Sequence, residues 1–386
     1  MTAPSSLPDI PLPSGIRSRY LQNINGLRMH VLEAGFETPG RPCVLLLHGF
    51  PELAFCWRKV MIPLAEAGYH VIAPDQRGYG RTSGWDSDYD GDLASFRLTN
   101  LVRDTLGVVS AFGYNTVDAV IGHDFGSAVA AWSALMRPDV FRSVVLMSAP
   151  FAGAPSLPFN SANEAIDAEA EDHVHRELAA LPRPRKHYQW YYSTREADDH
   201  MHRAPQGVHA FLRAYYHYKS ADWKGEAPYP LRSWSATELA NMPTYYIMDR
   251  DKDMAATVAE HMPSAGAIAA NQWLPESDLS FCSTEFARSG FQGGLQWYRC
   301  ALSSKFRSEL QIWSGRSIDI PSLFIAGAQD WGVYQHPGAY ELMQSRACTR
   351  MTACHLIAGA GHWVQQEQSD EVVRLLQEFL NQLGRP

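Results

Sequence analysis

The sequence predicts an α/β fold in which one mostly parallel sheet is flanked by helices and interrupted by a mainly helical insertion. Short apolar runs bounded by turn residues alternate with longer segments of helical period, the pattern of parallel strands covered on both faces. This alternation stops near residue 150, where Trp, Tyr, His and charged residues crowd together, and it resumes near residue 319. At 386 residues and 46% hydrophobic, the chain can bury a large core. Length alone also allows two domains.

Each element follows in order. Residues 1–18, within "MTAPSSLPDIPLPSGIRSRY", carry four prolines and read as an irregular arm. In "RPCVLLLHGF", Val44 to Leu47 is too short for a helix and reads as a buried strand ending at His48-Gly49. "YHVIAPDQRGYG" repeats the design, with its strand ending at Asp75. Residues 97–113 put Leu98, Leu101, Val102, Leu106, Val109 and Phe112 on one helical face and stop at Gly113. "TVDAVIGHD" is the next strand, "AVAAWSALM" the following helix and "SVVLMSAP" the strand after it. Beyond the insertion, "PSLFIAGAQD" and "CHLIAGAGHW" restore the strands, and "EVVRLLQEFLNQL" closes the chain as an amphipathic helix. The expected division is a core of 19–150 and 319–386 around a helical lid of 151–318.

Composition removes several classes of partner. A net charge of −8 with no Lys/Arg-rich run provides no surface for a phosphate backbone, so nucleic acid is not expected. The N-terminal stretch has no apolar run long enough for a signal peptide or a membrane span. The six cysteines, Cys43, Cys56, Cys282, Cys300, Cys348 and Cys354, form no C-x-x-C pairs, which signals neither zinc nor a disulfide framework. Scattered thiols suggest a reducing, cytoplasmic setting. A monomer and a homodimer are both left open.

The chemistry concentrates in "IGHDFGSA". Gly122 and Gly126 allow a tight strand-to-helix turn, and the residue between them is pushed out above the carboxyl edge of the sheet. An acid, Asp124, stands where esterases carry serine. Taken alone it would be a helix N-cap; two glycines between a strand and an Ala-rich helix make it a nucleophile. Asp330 closes one later strand and His362 follows another, in the order nucleophile, acid, histidine expected for such turns. The other place for the acid, after "SVVLM", holds Ser148 and Ala149.

With "HGFPE" at 48–52, "DQRGYG" at 75–80 and "GAGHWVQQE" at 359–367, the chain resembles the epoxide hydrolases of the α/β-hydrolase superfamily. The likeness runs from about residue 20 to the C-terminus and includes "HYQWYY" and "GFQGGLQWYRC" in the insertion. It implies that Tyr188 and Tyr298 hold the epoxide oxygen, and that Pro51 follows a cis peptide. An ionised carboxylate attacks saturated carbon without a base to activate it, so the expected intermediate is an ester on Asp124. His362, oriented by Asp330, then activates water, and the backbone N–H groups of Phe50 and Phe125 meet the oxyanion. Trp190 and Trp297, with Pro51, are expected along the substrate pocket, among aromatic residues that include Tyr191, Tyr192, Tyr215 and Tyr216. His48 and His123 read as structural. The partners expected are an epoxide and water, and the chemistry requires no metal or organic cofactor.

Haloalkane dehalogenases share an aspartate at this turn but hold halide with side-chain N–H groups, whereas Phe50 and Phe125 offer only backbone. Fluoroacetate dehalogenases place arginines just beyond the nucleophile, where this chain has Phe125 and Ser127. A serine esterase lacks its serine here. A non-catalytic binding module remains the reading from another class.

Overall fold

Strands that read as unbroken apolar runs are those buried on both faces. The computed structural model of the chain describes residues 7–157 and 168–384. The first six residues of the expected arm and a short part of the insertion lie outside them. Strands β1 (Ile16–Ile24), β2 (Leu27–Ala34), β3 (Cys43–Leu47), β4 (His70–Pro74), β5 (Ala119–His123), β6 (Val144–Met147), β9 (Ser322–Gly327) and β10 (Met351–Ile357) form one sheet in the order β1-β2-β4-β3-β5-β6-β9-β10. From β4 to β10 all neighbours are parallel, and only β2 pairs antiparallel with both β1 and β4. A small hairpin in the insertion pairs β7 (Arg185–His187) with β8 (Ile247–Asp249), a piece of sheet the sequence does not announce.

Alternation along each strand divides the core into two layers. Val44, Leu46, Val71, Ile121, Val145 and Ile325 face one layer, closed by the helices Arg58–Glu66 and Ser369–Gln382. Leu45, Leu47, Ile72, Val120, Leu146 and Phe324 face the other, closed by the helices Leu98–Ala111 and Phe125–Met136 and by the insertion. At roughly 1.5–3 kcal/mol for each fully buried Val, Leu, Ile or Phe, these layers supply the main driving force for the sheet.

Two expectations need correction. The arm ends early, because Ile16 to Ser18 already belong to β1, whose turn to β2 is made by Asn25 and Gly26 at positive φ. On the helix Leu98–Ala111, the buried face is centred on Leu101, Val102, Thr105, Val108 and Val109, while Leu98, Leu106 and Phe112 are only half-buried. All three still pack against the core, and the same helix also buries an ion pair: Asp104 accepts two hydrogen bonds from Arg77, at 2.7 and 2.8 Å, and one from Asn25 in the β1–β2 turn.

The sheet order reverses between β3 and β5, since β4 lies on one side of β3 and β5 on the other. Such switch points open a crevice beyond the carboxyl ends of the two strands. The insertion leaves the sheet after β6, returns at β9 and covers this crevice. Contact there is close. A Cβ on Gly78 or on Gly293 would fall within 2.6 Å of the other's backbone, so both positions require glycine. Tyr216 Oη donates to the Pro51 carbonyl at 2.8 Å, Trp297 Nε1 to that of Arg77 at 2.9 Å, and Arg58 pairs with Asp278.

Candidate active site

Asp124 sits at the end of β5 with φ 53° and ψ −122°, a conformation costly for any residue with a Cβ. The surrounding glycines explain how the turn closes. A Cβ on Gly122 would meet the Gly126 carbonyl at 2.0 Å, and one on Gly126 would meet that of Leu47 at 2.2 Å. Gly49, in the loop after β3, has its own space taken by the Asp124 carboxylate. The turn therefore seats Asp124 between the ends of β3 and β5.

Asp124 Oδ1 accepts the Phe50 N–H at 2.9 Å, across the cis Phe50–Pro51 junction. Its Oδ2 lies 3.3 Å from His362 Nε2, close enough for charge attraction but without the alignment of a hydrogen bond. On the far side of the ring, His362 Nδ1 is 3.1 Å from both oxygens of Asp330, and Asp330 Oδ1 also accepts the Gly332 N–H at 2.7 Å. A ring nitrogen held this way is the donor, which leaves Nε2 facing Asp124. The three residues thus stand in line at the sheet edge. His362 and Asp330 are each 2% exposed.

Burial alone would push the Asp124 carboxyl up, but His362, Lys219 and His123 outweigh it and hold the group below the ordinary carboxylate range. Asp330 is likewise depressed, burial being overcome by His362 and Lys219. For His362, burial and Lys219 favour the neutral ring, yet Asp330 and Asp124 prevail and raise its pKa. Burial, reinforced by the Asp124 charge, pushes the Tyr188 and Tyr298 phenols far upward, so both remain protonated at any working pH.

Tyr298 packs edge-on against Phe50 and Phe125, at 5.6 and 5.1 Å between ring centres, which sets it over the two residues that flank Asp124. Tyr188 lies 5.9 Å from Tyr298; its hydroxyl donates to Gln335 Oε1 and accepts from Gln189 Nε2, both at 3.1 Å. Tyr192 fills the space between them and donates to Tyr215 at 3.1 Å. Trp297 is fully buried, edge-on to Phe125 and Tyr79. Pro51 is buried in the loop below.

Trp190 departs from expectation. It faces away, packed on His175 at 4.3 Å and His187 at 5.6 Å. Two positions along a helix lie about 200° apart, so a helix that turns Tyr188 and Tyr192 inward turns Trp190 outward. Tyr191, one turn after Tyr188, is buried as Tyr188 and Tyr192 are, but its hydroxyl is 3.1 Å from His200 Nδ1. His48 and His123 are wholly buried. His48 Nε2 accepts the Gln76 N–H at 3.1 Å. His123 lies between Glu52 and the His362 carbonyl, 2.7 Å from each.

Sequence reasoning gave no role to several residues that frame the site. Glu52 is buried and takes Gln365 Nε2 at 3.0 Å and Gln366 Nε2 at 2.8 Å besides His123. Glu367 accepts the backbone N–H groups of Ala221, Gly361 and Trp363, between 2.8 and 3.0 Å, and burial pushes its carboxyl up to about 7 against them. Both stand in quoted motifs. Ser148, at positive φ, donates to the His362 carbonyl at 3.1 Å. Lys219, lost among the aromatic residues of the insertion, is 5% exposed and its carbonyl accepts the His362 N–H at 2.8 Å. Among the described residues, no group of three or more His, Cys, Asp or Glu could hold a metal ion.

A profile described as the alpha/beta hydrolase fold matches residues 42–368. Epoxide hydrolase B of Mycobacterium tuberculosis is 32% identical, with 94% of this chain and 97% of the relative covered. Epoxide hydrolase A of the same organism is 31% identical over 96% and 99%. The chain belongs to the α/β-hydrolase family and to its epoxide hydrolases. Solved structures agree: an epoxide hydrolase from an endophytic Streptomyces superposes with a TM-score of 0.75 at 31% identity, covering 96% of this chain and 97% of that one. Epoxide hydrolase I of potato (Solanum tuberosum) gives 0.71 at 26%, covering 95% and 99%. No helix among the described residues is long and apolar enough to cross a membrane.

Proposed function

We propose that this enzyme opens epoxides to vicinal diols through an ester on Asp124. The carboxylate attacks an epoxide carbon, the C–O bond breaks, and the ring oxygen takes a proton from Tyr188 or Tyr298. Positioned proton transfer of this kind is worth about 10²- to 10⁴-fold. His362 then removes a proton from water, which attacks the ester carbonyl while the N–H groups of Phe50 and Phe125 receive the oxyanion. Collapse returns Asp124 and releases the diol, and over the cycle the tyrosinate regains its proton from the His362 ring.

The observation that carries the reading is Asp124 itself: a carboxylate kept ionised, touching the Phe50 N–H at 2.9 Å and His362 at 3.3 Å, beneath tyrosines kept protonated. Dehalogenation is disfavoured, because Trp297, Trp331 and Trp363 already donate their ring N–H to the backbone carbonyls of Arg77, Glu226 and Tyr216. None of these three is left to grip a halide. In this scheme 19–150 and 319–386 act as the catalytic core, 151–318 acts as a lid bearing the two phenols, and the scattered, unpaired cysteines suit a cytoplasmic enzyme.

Incubation with styrene oxide, 1-bromobutane and p-nitrophenyl acetate tests the reaction class, and diol alone is expected. A single turnover in oxygen-18 water should yield diol whose new oxygen is unlabelled, since it comes from Asp124. Label in the first turnover's product would overturn the ester route.

A further inference from the structure

Lys219 is a buried charge that the reaction scheme above leaves unused. Its ammonium lies over four aromatic rings, 5.2 Å from Tyr246, 5.4 Å from Trp363, 5.5 Å from Tyr215 and 5.7 Å from Tyr245. Ring faces attract a cation, and desolvation strengthens that attraction. Burial lowers the pKa of this ammonium, and three carboxylates from three other elements work against that loss of charge: Asp124 at the end of β5, Asp330 after β9 and Glu52 after β3. Tyr215, Tyr245 and Tyr246 stay neutral, since burial raises all three phenols. The Lys219 carbonyl accepts the His362 N–H at 2.8 Å, which ties the two backbones together, and Trp363 packs against both the Lys219 ammonium and the His362 ring, at 5.4 and 4.7 Å.

We propose that Lys219 is the fixed positive charge that keeps the His362 ring neutral once Asp124 has become an ester, leaving that ring free to act as the base toward water.

The inference rests on the two-step reading above and follows from counting charges. In the free enzyme His362 faces two anions, Asp124 and Asp330, one cation, Lys219, and the ring of His123 at 5.0 Å, which is itself bonded to Glu52. The anions prevail, and imidazolium is favoured. Esterification neutralises Asp124, one anion is left against the same cation, and the balance tips toward neutral imidazole. The proton on Nε2 must pass to the tyrosinate that ring opening leaves before the ring can accept one from water. When the oxyanion forms, negative charge returns beside Lys219 as His362 becomes cationic, and the original balance is restored. Lys219 touches neither substrate nor water in this scheme; it is a positioning residue that acts through His362.

The test follows formation and decay of the alkyl-enzyme in single turnovers with styrene oxide across pH 5–9, for the full-length enzyme and two variants. In Lys219→Met, ester formation is expected to keep its pH profile, while the acid limb of ester decay moves about 1 pH unit or more to higher pH. At pH 6 that is a decay about tenfold slower. Lys219→Arg, which keeps the charge, should restore the limb to within a few tenths of a unit. If Lys219→Met does not fold, Lys219→Gln serves in its place. Decay slowed equally at every pH, or an unshifted limb in the uncharged variant, overturns the proposal. Failure of the underlying reading looks different, because then no alkyl-enzyme would accumulate even in His362→Gln.

Discussion

The edge of the sheet and the underside of the insertion face each other across the site, and they are built on opposite principles. The sheet edge presents ionised groups, Asp124, Asp330 and Glu52, on turns that leave little freedom, with Gly49, Gly122 and Gly126 each filled against neighbouring atoms. Facing it, the insertion presents neutral groups, the phenols of Tyr188, Tyr192, Tyr215 and Tyr298, held by ring-on-ring packing and by hydrogen bonds among side chains. Charge is kept where backbone N–H groups and histidines can answer it. Proton donors are kept where burial prevents them from ionising. In the proposed reaction the two halves divide the labour of attack and of leaving-group protonation, and each can be damaged separately.

Variants should separate them. Asp124→Ala removes the attacking group, and diol formation should fall by about 10⁴-fold or more, measured with styrene oxide. Residual activity near the parent level would transfer the attack to another residue. His362→Gln leaves attack in place but withdraws the base; turnover should fall about 10³-fold while intact-mass analysis finds the protein heavier by one substrate molecule. On the opposite wall, Tyr188→Phe and Tyr298→Phe should each slow ring opening by about 10²-fold and leave ester decay nearly unchanged. Equal slowing of both steps would reduce the phenols to scaffolding.

The smallest effect concerns acid. Burial lowers His187 to about 3 and His336 to about 4, and the two are linked through Trp234, which lies 5.4 Å from His187 and is stacked on His336 at 5.3 Å. Both histidines are neutral when folded but take up protons near pH 6.5 when unfolded. Their contribution is therefore complete above that pH and declines as pH falls toward the folded values, by about 1.4 kcal/mol per pH unit for each. The carboxylates at the sheet edge are depressed, so their contribution begins to decline only once pH falls below their unfolded values of about 4. Hydrogen exchange at pH 4.5 should accordingly rise first around His187 and Trp234 and last around β5. Simultaneous opening of both regions would erase the distinction.

The same contrast governs what could be read from the sequence. Asp124, Asp330 and His362 were legible because a residue just past a parallel strand has its place fixed by that strand, whatever packs above. Nothing local fixes a side chain on a short helix of the insertion. Tyr188 and Tyr298 were reached through resemblance alone, and Trp190 was misplaced because composition does not reveal helix phase. Nothing in the sequence singles out Lys219, since the rings that surround it come from several separate stretches. Strands β1 and β2 were hidden by charge: Arg17 and Arg19 are exposed while buried Glu33 pairs with both, at 2.7 and 3.1 Å, so polar residues occupy positions a strand pattern reserves for apolar ones.

The bolt between His362 and the insertion bears on how such enzymes can be recombined. The Lys219 carbonyl grips the histidine loop from above, while Glu367 ties Ala221 to Gly361 and Trp363 from below. A chimera that imports a foreign insertion without residues 219–221, or keeps them but replaces the 361–367 loop, would cut this seam and release His362 from its seat. Successful grafts should be those whose crossover points carry both strips together.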